Sequence, residues 1–325
     1  MRGEVLRFGI VGTNFISEAF VRAARLSEKC EPFAIYSRTK EKGESFAKRN
    51  GLSRVYLSFD EMLSDSEIDA VYIASPTFLH KDMACKALKA GKHALIEKMI
   101  ALTHEEFLEI KRSADLGNTH FLEAMRPNFD RCFTLVEEKL TEIGKIKEVY
   151  FEFCQYSSRY DNFKRGIIEN AFNPELKNSA LADIGIYPLH LAIRLFGEPT
   201  SIEAKSSFLG NGFEAEGDVS LSYGDFTVNI RYSKIFEGEN RSYIKGQNGL
   251  ICFDKINAPK LLSIELNGCE ALQNYTPEEN NILSEIDAFC DTVLGEKKYL
   301  RFNDVSEKTM RTVDKIYKAS GISYL

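Results

Sequence analysis

The chain has 325 residues, of which 44% are hydrophobic and 28% charged, a balance typical of folded globular proteins rather than disordered ones. Its 42 basic and 48 acidic side chains give a formal net charge of −6, which disfavours nucleic-acid binding through bulk positive charge. No apolar run approaches the roughly 20 residues of a membrane span and no signal-peptide pattern is present, so we expect a cytoplasmic protein of two domains without membrane contacts.

The cysteines and histidines give no pattern that a metal or a disulfide framework requires. Seven cysteines are scattered along the chain without a Cys-x-x-Cys pair, and the five histidines form no His-x-x-x-His pair. We therefore expect reduced cysteines that act as small apolar side chains, and no metal site.

Short apolar stretches alternate with helical patterns along the first half of the chain. Two pairs in the helical stretches have capping-box spacing, Ser58 with Glu61 and Thr103 with Glu106. Because strands and helices alternate at steps of roughly 25 residues, we predict a doubly wound, Rossmann-like dinucleotide-binding domain over residues 1–123. Ligands of such domains bind beyond the carboxyl ends of the strands. The predicted strands cover residues 6–11, 33–36, 55–57, 70–74, 94–96 and 119–124.

The second half changes to a period of two, which is typical of half-buried strands. Apolar side chains alternate with polar ones over 149–153, 219–223 and 226–232, and Gly224-Asp225 between the last two predicts a hairpin. We predict an α+β domain over residues 124–325 with a large, mainly antiparallel open sheet. One face of such a sheet is commonly left for a partner or a second subunit.

A dinucleotide-binding turn is predicted where the first strand ends. Aligning Gly12 with the first glycine of Gly-x-Gly-x-x-Gly places Asn14 at the second position and Ser17 at the third. Asparagine tolerates a left-handed backbone better than most residues, so the turn can survive the substitution. A tight turn without a ligand is the alternative. The residues predicted to bind the cofactor here are Gly12, Thr13, Asn14, Phe15 and Ile16.

The end of the second strand indicates which cofactor is bound. An acidic residue there would accept a hydrogen bond from the ribose 2′-hydroxyl of NAD, but the sequence continues Tyr36-Ser37-Arg38-Thr39-Lys40. Arg38 and Ser37 suit a 2′-phosphate, so NADP is favoured, with NAD as the alternative. An exposed basic loop without a ligand is also compatible with the pattern.

Four further segments complete a recognisable set. They are Ala74-Ser-Pro-Thr-Phe-Leu-His80, Gly91-Lys-His-Ala-Leu-Ile-Glu-Lys98, Glu123-Ala-Met-Arg126 and Ala180-Leu-Ala-Asp-Ile-Gly-Ile-Tyr-Pro-Leu-His190. Together with the first turn they resemble the Gfo/Idh/MocA oxidoreductases over nearly the whole chain. The pattern is most similar to the branch of dimeric dihydrodiol dehydrogenase and glucose–fructose oxidoreductase.

The resemblance implies a fold, an activity and a site. It implies an NAD(P)-dependent enzyme that transfers hydride between nicotinamide and the hydroxyl or carbonyl carbon of a sugar, polyol or dihydrodiol. A homodimer or homotetramer would form through the C-terminal sheet. The family's catalytic positions fall on Lys98, Asp183 and Tyr187. The cofactor side would include Ser75, Pro76, Thr77, His80, Glu97, Lys98 and Arg126.

The chemistry of these residue types suits alcohol oxidation. Lys98 can steady the developing oxyanion or exchange the hydroxyl proton, and Tyr187 can relay that proton if a nearby ammonium lowers its pKa. Asp183 can orient Lys98, bind a substrate hydroxyl or cap a helix. His190 either tunes Tyr187 or packs inside, and Arg126 either touches the nicotinamide or the substrate or makes a structural ion pair.

Three departures from the family pattern support a second hypothesis. Asn14 replaces a glycine, Met99 replaces the proline after the motif lysine, and 177–179 replaces a glycine-rich approach to Asp183. A catalytically impaired nucleotide-binding sensor that uses its sheet to meet a partner protein is therefore the alternative to an enzyme.

Overall fold

The computed structural model describes residues 5–271, 275–277 and 279–322, and the chain forms two compact units. The N-terminal unit comprises 1–125 and 280–304, and the C-terminal unit comprises 126–279 and 305–325. The sequence-based division after residue 123 lies close to the first crossing but does not include the return of 280–304.

A parallel sheet with interleaved helices forms most of the N-terminal unit. Within the described residues its six strands have the order β3-β2-β1-β4-β5-β6, and the strand pairs are parallel. This is the predicted doubly wound arrangement, which is confirmed. Its elements are β1 (Leu6–Val11), α1 (Phe15–Ala24), β2 (Cys30–Tyr36), α2 (Lys40–Asn50), β3 (Arg54–Tyr56), α3 (Phe59–Ser64), β4 (Ala70–Ile73), α4 (His80–Lys89), β5 (His93–Glu97), α5 (His104–Gly117) and β6 (Phe121–Ala124).

The predicted helix starts in this unit are also confirmed. The Thr103 hydroxyl accepts a hydrogen bond from Glu106 N at 3.2 Å, and the Ser58 hydroxyl accepts one from Glu61 N at 3.3 Å. Each bond satisfies a backbone donor that lacks a partner within its helix, so α5 and α3 begin where the capping pattern places them.

The C-terminal unit contains a large open sheet. In the described part of the chain it has eight strands in the order β14-β13-β12-β11-β7-β10-β9-β8, antiparallel except between β7 and β10. The predicted α+β class is thereby confirmed. The elements that follow β6 are α6 (Arg131–Lys139), β7 (Ile146–Cys154), α7 (Ser158–Lys164), α8 (Ile186–Phe196), β8 (Ser201–Phe208), β9 (Glu214–Ser222), β10 (Thr227–Ser233), β11 (Ser242–Gly246), β12 (Gly249–Phe253), β13 (Leu262–Leu266), β14 (Cys269–Glu270), α9 (Asn281–Val293) and α10 (Arg301–Ser320).

The two faces of this sheet differ in polarity. Val149, Phe151, Val228 and Ile230 are buried on the face where α8 packs against β7 and β10. On the opposite face Arg231 is exposed, because side chains alternate between faces along a strand. The hairpin predicted at Gly224 joins β9 and β10, and the glycine there has a φ of +83°.

Helix α9 explains why residues 280–304 belong with the N-terminal unit. The ring of Phe289 lies 5.6 Å from that of Phe8 in β1, and Asp291 binds the ammonium of Lys29 at 2.6 Å. An apolar stripe predicts that a helix is packed but not which distant segment it packs on.

No helix in the described ranges is long and apolar enough to cross a bilayer. Over the same residues no group of three or more His, Cys, Asp or Glu side chains could hold a metal ion. The cysteines are free thiols, and Cys30, Cys85, Cys132, Cys154 and Cys290 are buried.

Candidate active site

Gly12 makes the turn after β1, and no other residue would fit there. Its φ is +106°, and a Cβ at this position would lie 2.6 Å from the carbonyl oxygen of Ala74. Asn14 has an extended backbone with φ −90° and ψ 179°, so the turn does not use the left-handed tolerance of asparagine. The positive φ falls on the glycine instead.

Asn14 serves as the N-cap of α1 and also ties two strands together. Its Oδ1 accepts from the backbone N and the hydroxyl of Ser17, each at 3.1 Å, and its Nδ2 donates to Ala74 O at 3.0 Å. Ser17 is fully buried, as its small side chain predicts. The substitution of glycine by asparagine is therefore accommodated by a cap that joins the end of β1 to the end of β4.

The amino end of α1 fits the pyrophosphate of a dinucleotide. The first bond between backbone groups of the helix runs from Glu18 N to Asn14 O, so the N–H groups of Thr13 to Ile16 precede the helical ladder. Such donors at a helix N-terminus bind phosphate groups. Phe15 on the same turn has 72% of its surface exposed.

Ser37 and Arg38, at the end of β2, differ in burial and in their contacts. The Ser37 hydroxyl is buried and donates to Thr39 O at 2.9 Å, so its proton stabilises its own loop. The Arg38 side chain is exposed, and Lys40 next to it is exposed as well. A guanidinium without an acidic residue beside it on this loop suits a phosphate group.

His80 joins the segments that follow β4 and β5. Only 1% of its surface is exposed, and its ring nitrogens lie 2.8 Å from Ser75 O and 2.9 Å from Met99 O. Burial lowers the pKa of this imidazole. The ring therefore supports the segments around Ser75 to Thr77 and Lys98 from within.

Lys98 lies directly after β5, on a segment that two carboxylates hold. Glu97 accepts from the Tyr72 hydroxyl at 2.5 Å and from Lys98 N at 3.3 Å, and Glu123 accepts from Ile100 N at 3.0 Å. The Lys98–Met99 peptide bond is cis, although methionine stands where the family has proline. Lys98 itself is half-buried, and Met99 is fully buried.

Asp183 and Tyr187 lie where a π-helical turn, Leu181–Gly185, continues into α8. The missing N–H of Pro188 predicts a place in the first turn of a helix, but α8 continues without a break from the π-helical turn, so Pro188 lies inside the helical stretch. Gly185 packs so tightly that a Cβ there would lie 2.8 Å from the ring of Tyr232. Tyr187 is 6% exposed, and its ring meets that of Phe153 edge-on at 5.7 Å.

A buried carboxylate, Glu214, anchors the start of this turn and was missed by the sequence reasoning. It accepts hydrogen bonds from Leu181 N at 2.9 Å, the Tyr232 hydroxyl at 2.8 Å and the Ser206 hydroxyl at 3.2 Å. Burial raises the pKa of Glu214 to about 7, against the opposing effect of these donors. The only signal was an acidic residue at an inward position of β9.

The carboxylate of Asp183 pairs with Lys234, which the sequence reasoning also missed. The Lys234 ammonium lies 2.8 Å from Asp183 Oδ2. The side chain of Lys234 is 6% exposed and that of Asp183 is 46% exposed. A lysine two residues after the alternating stretch 226–232 was the available signal.

His190 and Arg126 are the remaining two residues that the sequence singled out. The ring of His190 is fully buried, with Nε2 2.9 Å from Asn128 Oδ1 and Nδ1 3.4 Å from the Thr309 hydroxyl. Burial and the charge of Arg194 lower the pKa of His190 to about 3, which supports the packing interpretation. Arg126 is half-buried in a short 3₁₀ turn, Arg126–Asn128.

Sequence comparisons match both halves of the chain. A family described as "Oxidoreductase family, NAD-binding Rossmann fold" matches residues 6–121, and a "GFO/IDH/MocA C-terminal domain" matches residues 136–252. A scyllo-inositol 2-dehydrogenase (NADP(+)) of Bacillus subtilis is 34% identical over 98% of both chains. A trans-1,2-dihydrobenzene-1,2-diol dehydrogenase of Xenopus laevis is 27% identical over 75% of this chain and 74% of that protein.

Solved structures agree with the fold. A 3-ketoreductase from Actinomadura kijaniata in complex with NADP and TDP-benzene has a TM-score of 0.85 at 20% identity, covering 97% of this chain and 98% of the other. An aldose-aldose oxidoreductase from Caulobacter crescentus complexed with glycerol has a TM-score of 0.84 at 22% identity, covering 97% of each chain. With the sheet order, the turn at Gly12 and the two family matches, these comparisons show that the chain belongs to the Gfo/Idh/MocA family of NAD-binding oxidoreductases.

Proposed function

We infer that the protein is an NADP-dependent oxidoreductase that interconverts a hydroxyl and a carbonyl group on a polyol, sugar or dihydrodiol. The observation that carries this function is Lys98, half-buried after β5 on a segment that Glu97, His80 and Glu123 hold. The NADP-dependent inositol dehydrogenase at 34% identity supports the substrate class and the cofactor.

The N-terminal unit would bind the cofactor, which supplies the hydride acceptor or donor. The N–H groups of the turn at 12–16 suit the pyrophosphate, and the exposed Arg38 suits the 2′-phosphate, with Ser37 holding the loop that carries it. The cofactor side would also include Ser75, Pro76, Thr77 and Glu97, and the buried ring of His80 contacts the carbonyl oxygen of Ser75.

The C-terminal unit would supply the substrate side through Asp183 and Tyr187. A secondary alcohol that loses hydride must also lose its hydroxyl proton, so the reaction needs a proton acceptor and a group that steadies the oxyanion. We assign the oxyanion contact to the Lys98 ammonium and the proton relay to the Tyr187 hydroxyl. Asp183 would accept a hydrogen bond from a second substrate hydroxyl.

Two further expectations concern assembly and location. The polar face of the C-terminal sheet, which includes the exposed Arg231, is the surface we assign to a homodimer or homotetramer. Free thiols at all cysteines are compatible with the cytoplasm, where disulfides are rare. Light scattering at several protein concentrations would measure the oligomeric state.

The test of the function measures cofactor binding and turnover separately. NADPH should raise the melting temperature more than NADH, and a panel of inositols, aldoses and diols should contain a substrate that the wild type turns over. Lys98→Ala should lower kcat by about a thousandfold or more while NADPH still binds, because a group used only in the transition state is lost.

The control is Lys89→Ala, which removes an exposed lysine from α4 and should leave kcat unchanged. Absence of stabilisation by either cofactor, or full activity of Lys98→Ala, would overturn the proposed function. The sensor hypothesis rested on Asn14, Met99 and 177–179. The cap at Asn14 accommodates the first departure, and the enzyme at 34% identity over 98% of the chain favours an enzyme, so we do not adopt the sensor hypothesis.

A further inference from the structure

The ammonium of Lys234 is the buried cation nearest to the proposed substrate-side residues of the C-terminal unit. Lys234 is 5% exposed and follows β10 directly. Its backbone is held on both sides, since Lys234 N donates to Ala215 O at 2.9 Å and Lys234 O accepts from Ser157 N at 3.0 Å. The side chain therefore starts from a rigid point at the end of the sheet.

The surroundings of the ammonium leave it little freedom. Nζ lies 2.8 Å from Asp183 Oδ2 and donates to Ala171 O at 3.2 Å. The rings of Phe172 and Phe213, both fully buried, have their centroids 4.9 Å and 5.4 Å from Nζ. Aromatic faces attract a cation but do not replace its hydration, so the carboxylate of Asp183 provides the charge that a desolvated ammonium requires.

The ion pair is asymmetric in its exposure. The Lys234 side chain is 6% exposed, whereas 46% of the Asp183 side chain surface is open. Partial solvation of the carboxylate lowers the desolvation cost of the pair, and it also leaves carboxylate surface within reach of a ligand. Lys234 thus holds one oxygen of Asp183 from inside, while part of the Asp183 side chain surface stays exposed.

From this geometry we propose that Lys234 is a positioning residue, which holds Asp183 so that its carboxylate accepts a hydrogen bond from a hydroxyl beside the reacting carbon. The inference rests on the proposed function and deepens it. A carboxylate held as an anion is a hydrogen-bond acceptor with no donor. The site therefore selects neutral substrates with at least two hydroxyl groups, such as polyols and vicinal diols, over mono-alcohols and over acids.

The experiment is a double-mutant cycle on the substrate that the wild type turns over. Lys234→Met should raise KM for the polyol by about tenfold or more, because a hydrogen bond to a charged group loses its alignment, with KM for NADPH unchanged. The loss should vanish for an analogue that lacks the neighbouring hydroxyl. In the Asp183→Asn background, Lys234→Met should change KM by less than about twofold, since the lysine acts only through the aspartate.

Lys92→Met is the matched control. Lys92 is also a buried lysine, 9% exposed, and its ammonium donates to Asp65 O and Ile68 O, both at 2.7 Å and both backbone groups of the N-terminal unit. This variant should lose stability without a change in the KM for the polyol. Lys234→Met therefore has to differ from it in KM and not only in melting temperature.

The outcomes separate the two proposals. If the wild type oxidises or reduces no polyol, sugar or diol, the proposed function fails and this inference fails with it. If the wild type is active but Lys234→Met keeps its KM, or if the two substitutions multiply in the cycle, Lys234 has no positioning role. Should Lys234→Met not fold, the variant with both substitutions carries no unpaired buried charge and is compared directly with Asp183→Asn. An equal KM supports the inference, and a further loss overturns it.

Discussion

The two units hold their candidate residues by different means. In the N-terminal unit the turn at Gly12 is fixed by a neutral side chain, since Asn14 donates to Ala74 O and accepts from Ser17 N. In the C-terminal unit the turn that carries Asp183 is fixed by the buried ionisable groups Glu214 and Lys234.

The two kinds of contact respond differently to pH and to substitution. The contacts of Asn14 do not depend on pH, because its side chain is neutral, and water can replace a lost partner, because the residue is exposed. The stability that a buried ionisable group contributes depends strongly on pH and on its partner. Away from water, a lost partner or a change of charge lowers the free energy of unfolding by a larger amount. We therefore expect substitutions at the Asp183 turn to have larger effects than comparable ones at the Gly12 turn.

The largest effect is expected for Glu214→Gln and depends on pH. The pKa of Glu214 is raised from 4.5 to about 7 in the fold, so the folded protein binds this proton more tightly than the unfolded chain. The wild type therefore loses stability as the pH rises from about 4.5 through about 7, by roughly 3 kcal/mol at about 1.4 kcal/mol per pH unit. The glutamine variant lacks this loss.

Urea unfolding at about pH 5 and about pH 8 measures the free energy of unfolding of the wild type and of the variant. The stability of Glu214→Gln relative to the wild type should rise by roughly 3 kcal/mol between the two conditions. Glu203→Gln, on the exposed side of β8, is the control and should show no such change. Parallel pH profiles for the Glu214 variant and the wild type would contradict the assignment.

Sequence periodicity predicted the framework of both units because it reports which face of an element is buried. The strands of the parallel sheet, the caps at Ser58 and Thr103 and the hairpin at Gly224 each depend on residues within one short window. The contacts of Glu214 with Leu181 and of Lys234 with Asp183 were not predicted, because the two residues of each contact lie on distant segments and no short window contains both. The packing of Phe289 on Phe8 was not predicted for the same reason.

The next effect concerns the packing of the Asp183 turn. Gly185→Ala would place a Cβ 2.8 Å from the buried ring of Tyr232, whose hydroxyl also binds Glu214. Overpacking of this kind should cost about 2 kcal/mol and raise KM for the substrate, because the turn must shift. Gly210→Ala, where a Cβ would meet nothing within 4 Å, is the matched control. Equal melting temperatures for the two variants would show that the turn is looser than its packing indicates.

A smaller effect is expected at the cofactor site. Arg38→Ala should weaken NADPH binding by about tenfold through the loss of a charge-assisted contact to the 2′-phosphate, with NADH affinity unchanged. Titration of nicotinamide fluorescence with each cofactor measures both constants. Arg22→Ala, which removes an exposed arginine from the last turn of α1, should change neither. An equal loss of affinity for NADH would show that Arg38 does not contact the 2′-phosphate.

The smallest effect separates the two roles of Asn14. Asn14→Ala removes both the cap on Ser17 N and the bond to Ala74 O, and should cost about 1 kcal/mol of stability. Asn14→Gly restores the glycine of the dinucleotide fingerprint. As a tolerated N-cap it should cost less than alanine, with NADPH affinity unchanged. Denaturant unfolding and NADPH titration on both variants provide the comparison. If glycine instead tightened NADPH binding by tenfold, Asn14 would be a cost to cofactor binding and not the neutral replacement that its geometry indicates.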